Sequence, residues 1–249
     1  MKLRFLAPAA VALAMIGLPG LAETLKVGST PTGVPFTFLD VKSGQVTGMM
    51  VDVVKAVGEK AGFTAEVKST DWVSLIPALT SGRIDIISAA MSITDARKKV
   101  VDFSDPIFPY GEGLVMRKDD PTQYTQSLKE TAGKTIGVQQ GTRYLDDLKA
   151  MSGIGTIKVY ENIADIMRDV QLGRIAVGFA DQPIMAYQIG QGKFPDLQMS
   201  KSYKQQFVAP LGLAINKDHP ELLARINKAL AEMKQSGELD ALIAKWNLD

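Results

Sequence analysis

Residues 84–106 read IDIISAAMSITDARKKVVDFSDP. Ile84–Ser88 is a short apolar run, the signature of a buried strand. The polar stretch Ser92-Ile93-Thr94-Asp95 follows, then the basic run Arg97-Lys98-Lys99. Upstream, a helical pattern from about Trp72 stops at Ser81-Gly82. The unit is therefore helix, glycine, buried strand, polar loop. The chain repeats it in both directions. Toward the N-terminus, Leu25–Ser29 and Phe36–Leu39 read as strands, the second ended by the turn at Ser43-Gly44. Gly48–Gly62 reads as a helix with Val51, Val54 and Val57 on one face, and Thr64–Lys68 as a strand. Toward the C-terminus, strand Thr135–Val138 runs into Gln139-Gln140-Gly141-Thr142, with a helix to about Met151 and a strand at Ile157–Tyr160. Asn162 caps a helix carrying Ile163, Ile166, Met167 and Val170. Strand Ile175–Ala180 follows, and Pro183 opens a further helix. Leu222, Ile226, Ala229, Leu230 and Met233 mark one terminal helix; Leu239, Leu242, Ile243 and Trp246 mark another. Strands alternating with amphipathic helices place the chain in the α/β class.

One element echoes another. Leu79-Thr80-Ser81-Gly82-Arg83-Ile84 and Gln171-Leu172-Gly173-Arg174-Ile175 both lead from a helix through Gly-Arg-Ile into an apolar strand. Glycine commonly closes a helix before a buried strand. Two similar α/β lobes produce the same echo.

Composition narrows the chemistry. The 249 residues include no Cys and one His, with 28 Lys+Arg against 27 Asp+Glu. Thiol nucleophiles, zinc-thiolate sites and multi-His metal sites are excluded, and no cofactor is expected. A near-neutral charge argues against nucleic acid as a partner.

Residues 1–22 differ from the rest. Lys2 and Arg4 precede an apolar stretch from Phe5 to about Leu18, then Pro19-Gly20-Leu21-Ala22. This is the layout of a cleaved signal peptide, and the apolar run is short for the ~20 residues of a membrane span. Its removal takes two basic residues and turns the formal charge from +1 to −1. The missing cysteine removes the attachment point for a lipid anchor, so a free periplasmic protein is expected.

Six motifs stand in order: Gly48-Met49-Met50-Val51-Asp52-Val53; Trp72 ahead of Leu75-Ile76-Pro77; Ser92-Ile93-Thr94 with Arg97; Asp102-Phe103-Ser104; Val138-Gln139-Gln140-Gly141-Thr142; and Asp181 before Pro183. Together they resemble the periplasmic amino-acid-binding proteins of ABC importers, the third family of extracellular solute-binding proteins. The resemblance covers residues 23–249. It implies a two-lobe, periplasmic-binding-protein-like (type II) α/β fold, with 23–110 and 208–249 as lobe one and 111–207 as lobe two. Crossovers are expected near Tyr110–Leu114 and Phe207–Leu211.

The resemblance also implies the site. Arg97 matches the arginine that grips the ligand carboxylate, a role suited to a guanidinium fork. By residue type alone Arg97 better suits a surface position in the stretch capped by Thr94. Thr142, at a strand–helix junction, matches the second-lobe carboxylate contact; it also suits a plain N-cap. Asp181 matches the acid that pairs with the ligand ammonium, though an N-cap for the Pro183 helix fits it too. The Ala90 carbonyl and Ser92 complete the clamp. Trp72 matches an aromatic that stacks on the ligand side chain, or else a core tryptophan. Gln139 and Arg143 occupy second-lobe positions that can face that side chain.

Two departures stand out. Met49 and Met50 replace an aromatic and an acid, a change expected to alter lobe packing rather than binding. Thr30 and Gly33 stand where members selective for basic amino acids carry an acid and an aromatic. A buried cation without a counter-charge is costly, so a polar or acidic ligand is expected over a basic one. The resemblance implies a monomeric carrier that delivers a free amino acid or close analogue to an ABC permease. It implies no catalytic residue. The alternative is a dehydratase-like enzyme on the same fold, acting on a small carboxylate. His219 lies outside every ligand motif and is a poor acid or base for it.

Overall fold

The computed structural model describes residues 23–248. The expected signal peptide lies outside them. In chain order the first half contains β1 (Glu23–Ser29), a small antiparallel sheet of β2 (Thr32–Gly33), β3 (Thr37–Asp40) and β4 (Gln45–Thr47), helix α1 (Met49–Ala61) and β5 (Phe63–Ser69). Then come α2 (Leu75–Thr80), β6 (Ile86–Ile87), the single turn α3 (Asp95–Lys98) and β7 (Asp102–Phe103). The chain crosses through β8 (Pro109–Tyr110) to β9 (Glu112–Arg117), β10 (Thr135–Gln139), α4 (Arg143–Ala150) and β11 (Thr156–Tyr160). It continues through α5 (Ile163–Gln171), β12 (Val177–Asp181), α6 (Gln182–Gly190) and β13 (Leu197–Met199). It returns by β14 (Ala209–Pro210) to β15 (Ala214–Ile215), α7 (Pro220–Ser236) and α8 (Glu238–Lys245).

Two five-stranded sheets result, ordered β5-β1-β6-β15-β7 and β11-β10-β12-β9-β13. Each has a parallel core: β1 pairs with β5 and β6, and β10 with β11 and β12. Each accepts an antiparallel strand beside that core, β15 and β9. The two Gly-Arg-Ile stretches close in the same way. Gly82 and Gly173 are left-handed at φ 68–70°. The Arg83 N–H donates to the Ala78 carbonyl and the Arg174 N–H to Asp169, both over 2.9 Å. The lobes are thus two copies of one topology. The protein has the two-lobe periplasmic-binding-protein fold, α/β throughout.

Met49 and Met50 open α1 and are fully buried in the core, where flexible thioethers adapt to the packing around them. Gly48 caps α1 at φ 128°, and a Cβ there would fall 2.3 Å from the Phe36 carbonyl oxygen. Only glycine fits. Asp52 of α1 accepts from Lys245 Nζ at 2.8 Å and Trp246 Nε1 at 2.9 Å, which pins the C-terminal helix to the first lobe.

The crossovers β8 and β14 pair antiparallel, Tyr110 opposite Ala209. Beside them Glu112 is fully buried. Its carboxylate accepts from the Tyr203 hydroxyl at 2.7 Å, the Gln206 N–H at 2.6 Å and the Phe207 N–H at 2.9 Å. This satisfies a buried anion with three donors and ties the return crossover to the outgoing one.

Candidate ligand-binding site

Strand ends from both sheets point into the cleft between the lobes, where ligands of open α/β sheets bind. Beyond β6, Ala90 takes φ 52°, an uncommon backbone for a residue with a Cβ. Its carbonyl accepts from the Tyr110 hydroxyl at 3.1 Å. Ser92 is buried and bridged to Leu211 of the return crossover.

Arg97 shows both of its sequence readings at once. Thr94 caps its backbone N–H at 3.3 Å, as in any capped turn. The side chain nevertheless turns inward. Nη1 donates to the Ser92 carbonyl at 2.8 Å, Nη2 to the Gly141 carbonyl at 3.3 Å, and the guanidinium carbon lies 5.4 Å from the centre of the Trp72 ring. Burial draws the Arg97 pKa below its ordinary value, and the negative charge of Asp181 opposes that fall.

Asp181 ends β12 and is buried. It stands at the N-cap of α6, but its side chain makes no capping hydrogen bond. Burial pushes its carboxyl up to about 6, and the positive charge of Arg97 opposes that rise. The Tyr144 hydroxyl is buried with no hydrogen-bond partner. Burial first, and then the negative charge of Asp181, raise the Tyr110 and Tyr144 phenols, so both stay protonated at neutral pH.

Thr142 caps α4 only by position. Its hydroxyl donates to the Gln139 carbonyl at 2.8 Å and caps no N–H of α4, while its carbonyl accepts from the Leu145 N–H at 3.3 Å. Gln139 is buried and donates from Nε2 to the Glu161 carbonyl at 2.9 Å.

Two cavities lie here with no lining residue in common, Arg97 of the first standing 5.4 Å from the Trp72 ring of the second. One of about 600 Å³ is lined by Ile93–Arg97 of the first lobe, Gly141–Arg143 of the second and the return crossover. The other, about 30 Å³, contains Asp181, Ala90, Trp72, Gln139, Tyr110 and Thr30. Arg97 and Thr142 therefore border one side of the cleft and Asp181 the other. Arg143 lies away from the Asp181 cavity: it pairs with Asp147 at 3.3 Å and sits 5.4 Å over the Phe207 ring. Its i,i+4 partner on α4 and the passing crossover claim it. Sequence reasoning missed Tyr110, Tyr144, Phe36, Ile163, Ile184 and Glu112. Tyr110 at the crossover and Tyr144 after Gly141-Thr142-Arg143 stand directly beside recognisable motifs. The others come together only through folding. Among the described residues no group of His, Cys, Asp and Glu is placed to hold a metal, and no helix is long and apolar enough to cross a membrane.

Two α/β lobes on paired crossovers, with opposite charges converging on the cleft, define the class of two-lobe solute receptors. The family model for bacterial extracellular solute-binding proteins, family 3, matches residues 25–249, and the chain belongs to that family. The arginine-binding extracellular protein ArtP of Bacillus subtilis (strain 168) is 33% identical over 234 residues, covering 90% of this chain and 86% of ArtP. The structure of an ancestral arginine-binding protein bound to glutamine matches with a TM-score of 0.83 at 34% identity, covering 92% of this chain and 100% of that one. The ancestral amino acid-binding protein AncCDT-1, a precursor of cyclohexadienyl dehydratase, matches at 0.80 with 35% identity, covering 90% of this chain and 95% of that one. The resemblance carried by the six motifs is thus established at the level of the family.

Proposed function

We propose that this protein is the periplasmic receptor of an ABC importer, a monomer that binds a free amino acid between its lobes and delivers it to the permease. The observation that carries this is that Arg97 and Asp181, one from each lobe, both line the space between the lobes. An α-amino acid presents a carboxylate and an ammonium on one carbon. Arg97, with Ser92 and the α4 N-terminus at Thr142, suits the first; Asp181, with the Ala90 carbonyl, suits the second. Lobe one comprises residues 23–110 and 208–249 and lobe two 111–207, so each lobe supplies one charge. A ligand touching both charges binds the closed form better than the open one, and that difference drives closure. The names of its relatives support amino-acid ligands, with arginine and glutamine both represented. Thr30 and Gly33 in place of an acid and an aromatic disfavour a basic side chain.

The enzyme reading has AncCDT-1 on its side. His219 offers it nothing: it is 54% exposed at the start of α7, beside Glu221. Transport is the better reading, because the whole clamp is accounted for by binding. A thermal-shift screen of the common amino acids, followed by calorimetry, tests it. Stabilisation by at least one is expected, and none from any amino acid or close analogue would sink the proposal. Turnover of a prephenate-like acid would replace it with the enzyme.

A further inference from the structure

We infer that the amino acid carried by this protein has a compact, uncharged side chain; this rests on the receptor reading above and narrows it. The space beside Asp181 is about 30 Å³, room for roughly two water-sized groups. Beside Asp181 its walls include Thr30, Thr37, Phe36, Gln139, Ile163 and Ile184. The Thr30 and Thr37 hydroxyls bond each other at 2.7 Å, which uses one of their two hydrogens and leaves one donor and several lone pairs for a neutral group.

Charge excludes both kinds of ionised side chain. Asp181 is the one charged residue on these walls, and the ammonium claims it. A cationic side chain would compete for it, and an anionic one would face it. Arg97 is committed to the carboxylate, and Arg143 lies outside with Asp147. A charge buried without a partner is expensive.

Length is limited by the narrow gap between Gly33 and Ile184. One carbon added on Gly33 of β2 would already stand at van der Waals distance, 3.6 Å, from Ile184 Cδ1 of α6. A side chain longer than a few atoms must push β2 and α6 apart. Asp71 and Glu161 line a neighbouring outer pocket of about 200 Å³ that shares Trp72 and Thr32. Both acids are exposed, so a long cation threading past Trp72 would end in water, where ion pairs are weak.

Calorimetry on the mature chain at pH 7.5 tests this with glycine, alanine, serine, threonine, leucine, glutamate, lysine and arginine. Alanine, serine or threonine should bind at least 100-fold tighter than glutamate, lysine and arginine. A charged amino acid as the tightest ligand would overturn the inference and leave the receptor reading intact. No binding by any of the set, or by other amino acids, would overturn both. Ile184→Ala removes the second-lobe wall and should improve leucine at least tenfold relative to alanine. An unchanged ratio would show that Ile184 sets no limit. Ile184→Val is the gentler variant, with the same direction expected.

Discussion

Arg97, carried by the first lobe, donates from Nη2 to the Gly141 carbonyl of the second over 3.3 Å. The residue best suited to grip a ligand carboxylate is thus also a direct bridge between the lobes. Its Nη1 is held at the same time by Ser92. The fork is therefore oriented before any carboxylate arrives, which lowers the entropy lost on binding.

Arg97→Ala should weaken ligand binding by at least tenfold, about 1.4 kcal/mol. Arg97→Lys should restore little of it, because an ammonium cannot span Ser92, Gly141 and a carboxylate as a planar fork does. Calorimetry checks both. Full affinity in the lysine variant would reduce the role of Arg97 to charge alone.

Asp181 links binding to pH. Its carboxyl is held near 6 in the ligand-free fold against 3.8 for an ordinary aspartate. For a raised pKa, the stabilising contribution is fully present below about pH 3.8 and is lost as pH rises through about 6. At pH 7.5 the ionised, buried carboxylate therefore costs the ligand-free fold up to about 3 kcal/mol. Asp181→Asn should raise the ligand-free Tm at pH 7.5 by about 5 °C, with little change at pH 4. It should also weaken binding at least tenfold. A lower Tm at pH 7.5 would contradict the electrostatic argument.

The wild type should bind an ammonium-bearing ligand less tightly as pH falls below about 6, because Asp181 must give up a proton first. Calorimetry at pH 5 in buffers of different ionisation enthalpy should detect proton release on binding. No release at that pH would place the titrating group elsewhere.

Glu112 holds the crossovers together. Glu112→Gln keeps the shape but turns an amide N–H₂ toward donors at Tyr203, Gln206 and Phe207. Each bond lost to a charged acceptor is worth about 1.5–3 kcal/mol. A loss of at least 2 kcal/mol is expected by urea denaturation, from the same bonds. Unchanged stability would mean that β8 and β14 hold the hinge by themselves.

Two positive-φ glycines should respond differently. Gly82→Ala meets open space and should cost only about 1–2 kcal/mol for its left-handed backbone. Gly48→Ala drives a Cβ into the Phe36 backbone at 2.3 Å and should cost clearly more, seen as a larger fall in Tm. Equal costs would show that the β2–β4 hairpin yields without penalty.

Local rules made much of this legible. Periodicity located the main helices to within a few residues, since α1 spans Met49–Ala61 and ends at left-handed Gly62. Asn162 caps α5 through the Asp165 N–H at 2.9 Å, as its position suggested. Strand limits were less accurate. Ile84–Ser88 shrinks to Ile86–Ile87 in the ladder, because pairing depends on where neighbouring strands end.

The amino-acid sequence by itself determined the α/β alternation, the repeated Gly-Arg-Ile turn behind the two like lobes, and the family. These rest on interactions a few residues long, or on motifs of fixed order. Only the tertiary structure decided that Glu112 would meet Phe207, 95 positions away, and that Arg143 would leave the Asp181 cavity. It also decided that Tyr110 would line the same cavity as Asp181. Which polar groups share a buried space depends on how two lobes dock through two crossovers. No local pattern encodes that distance.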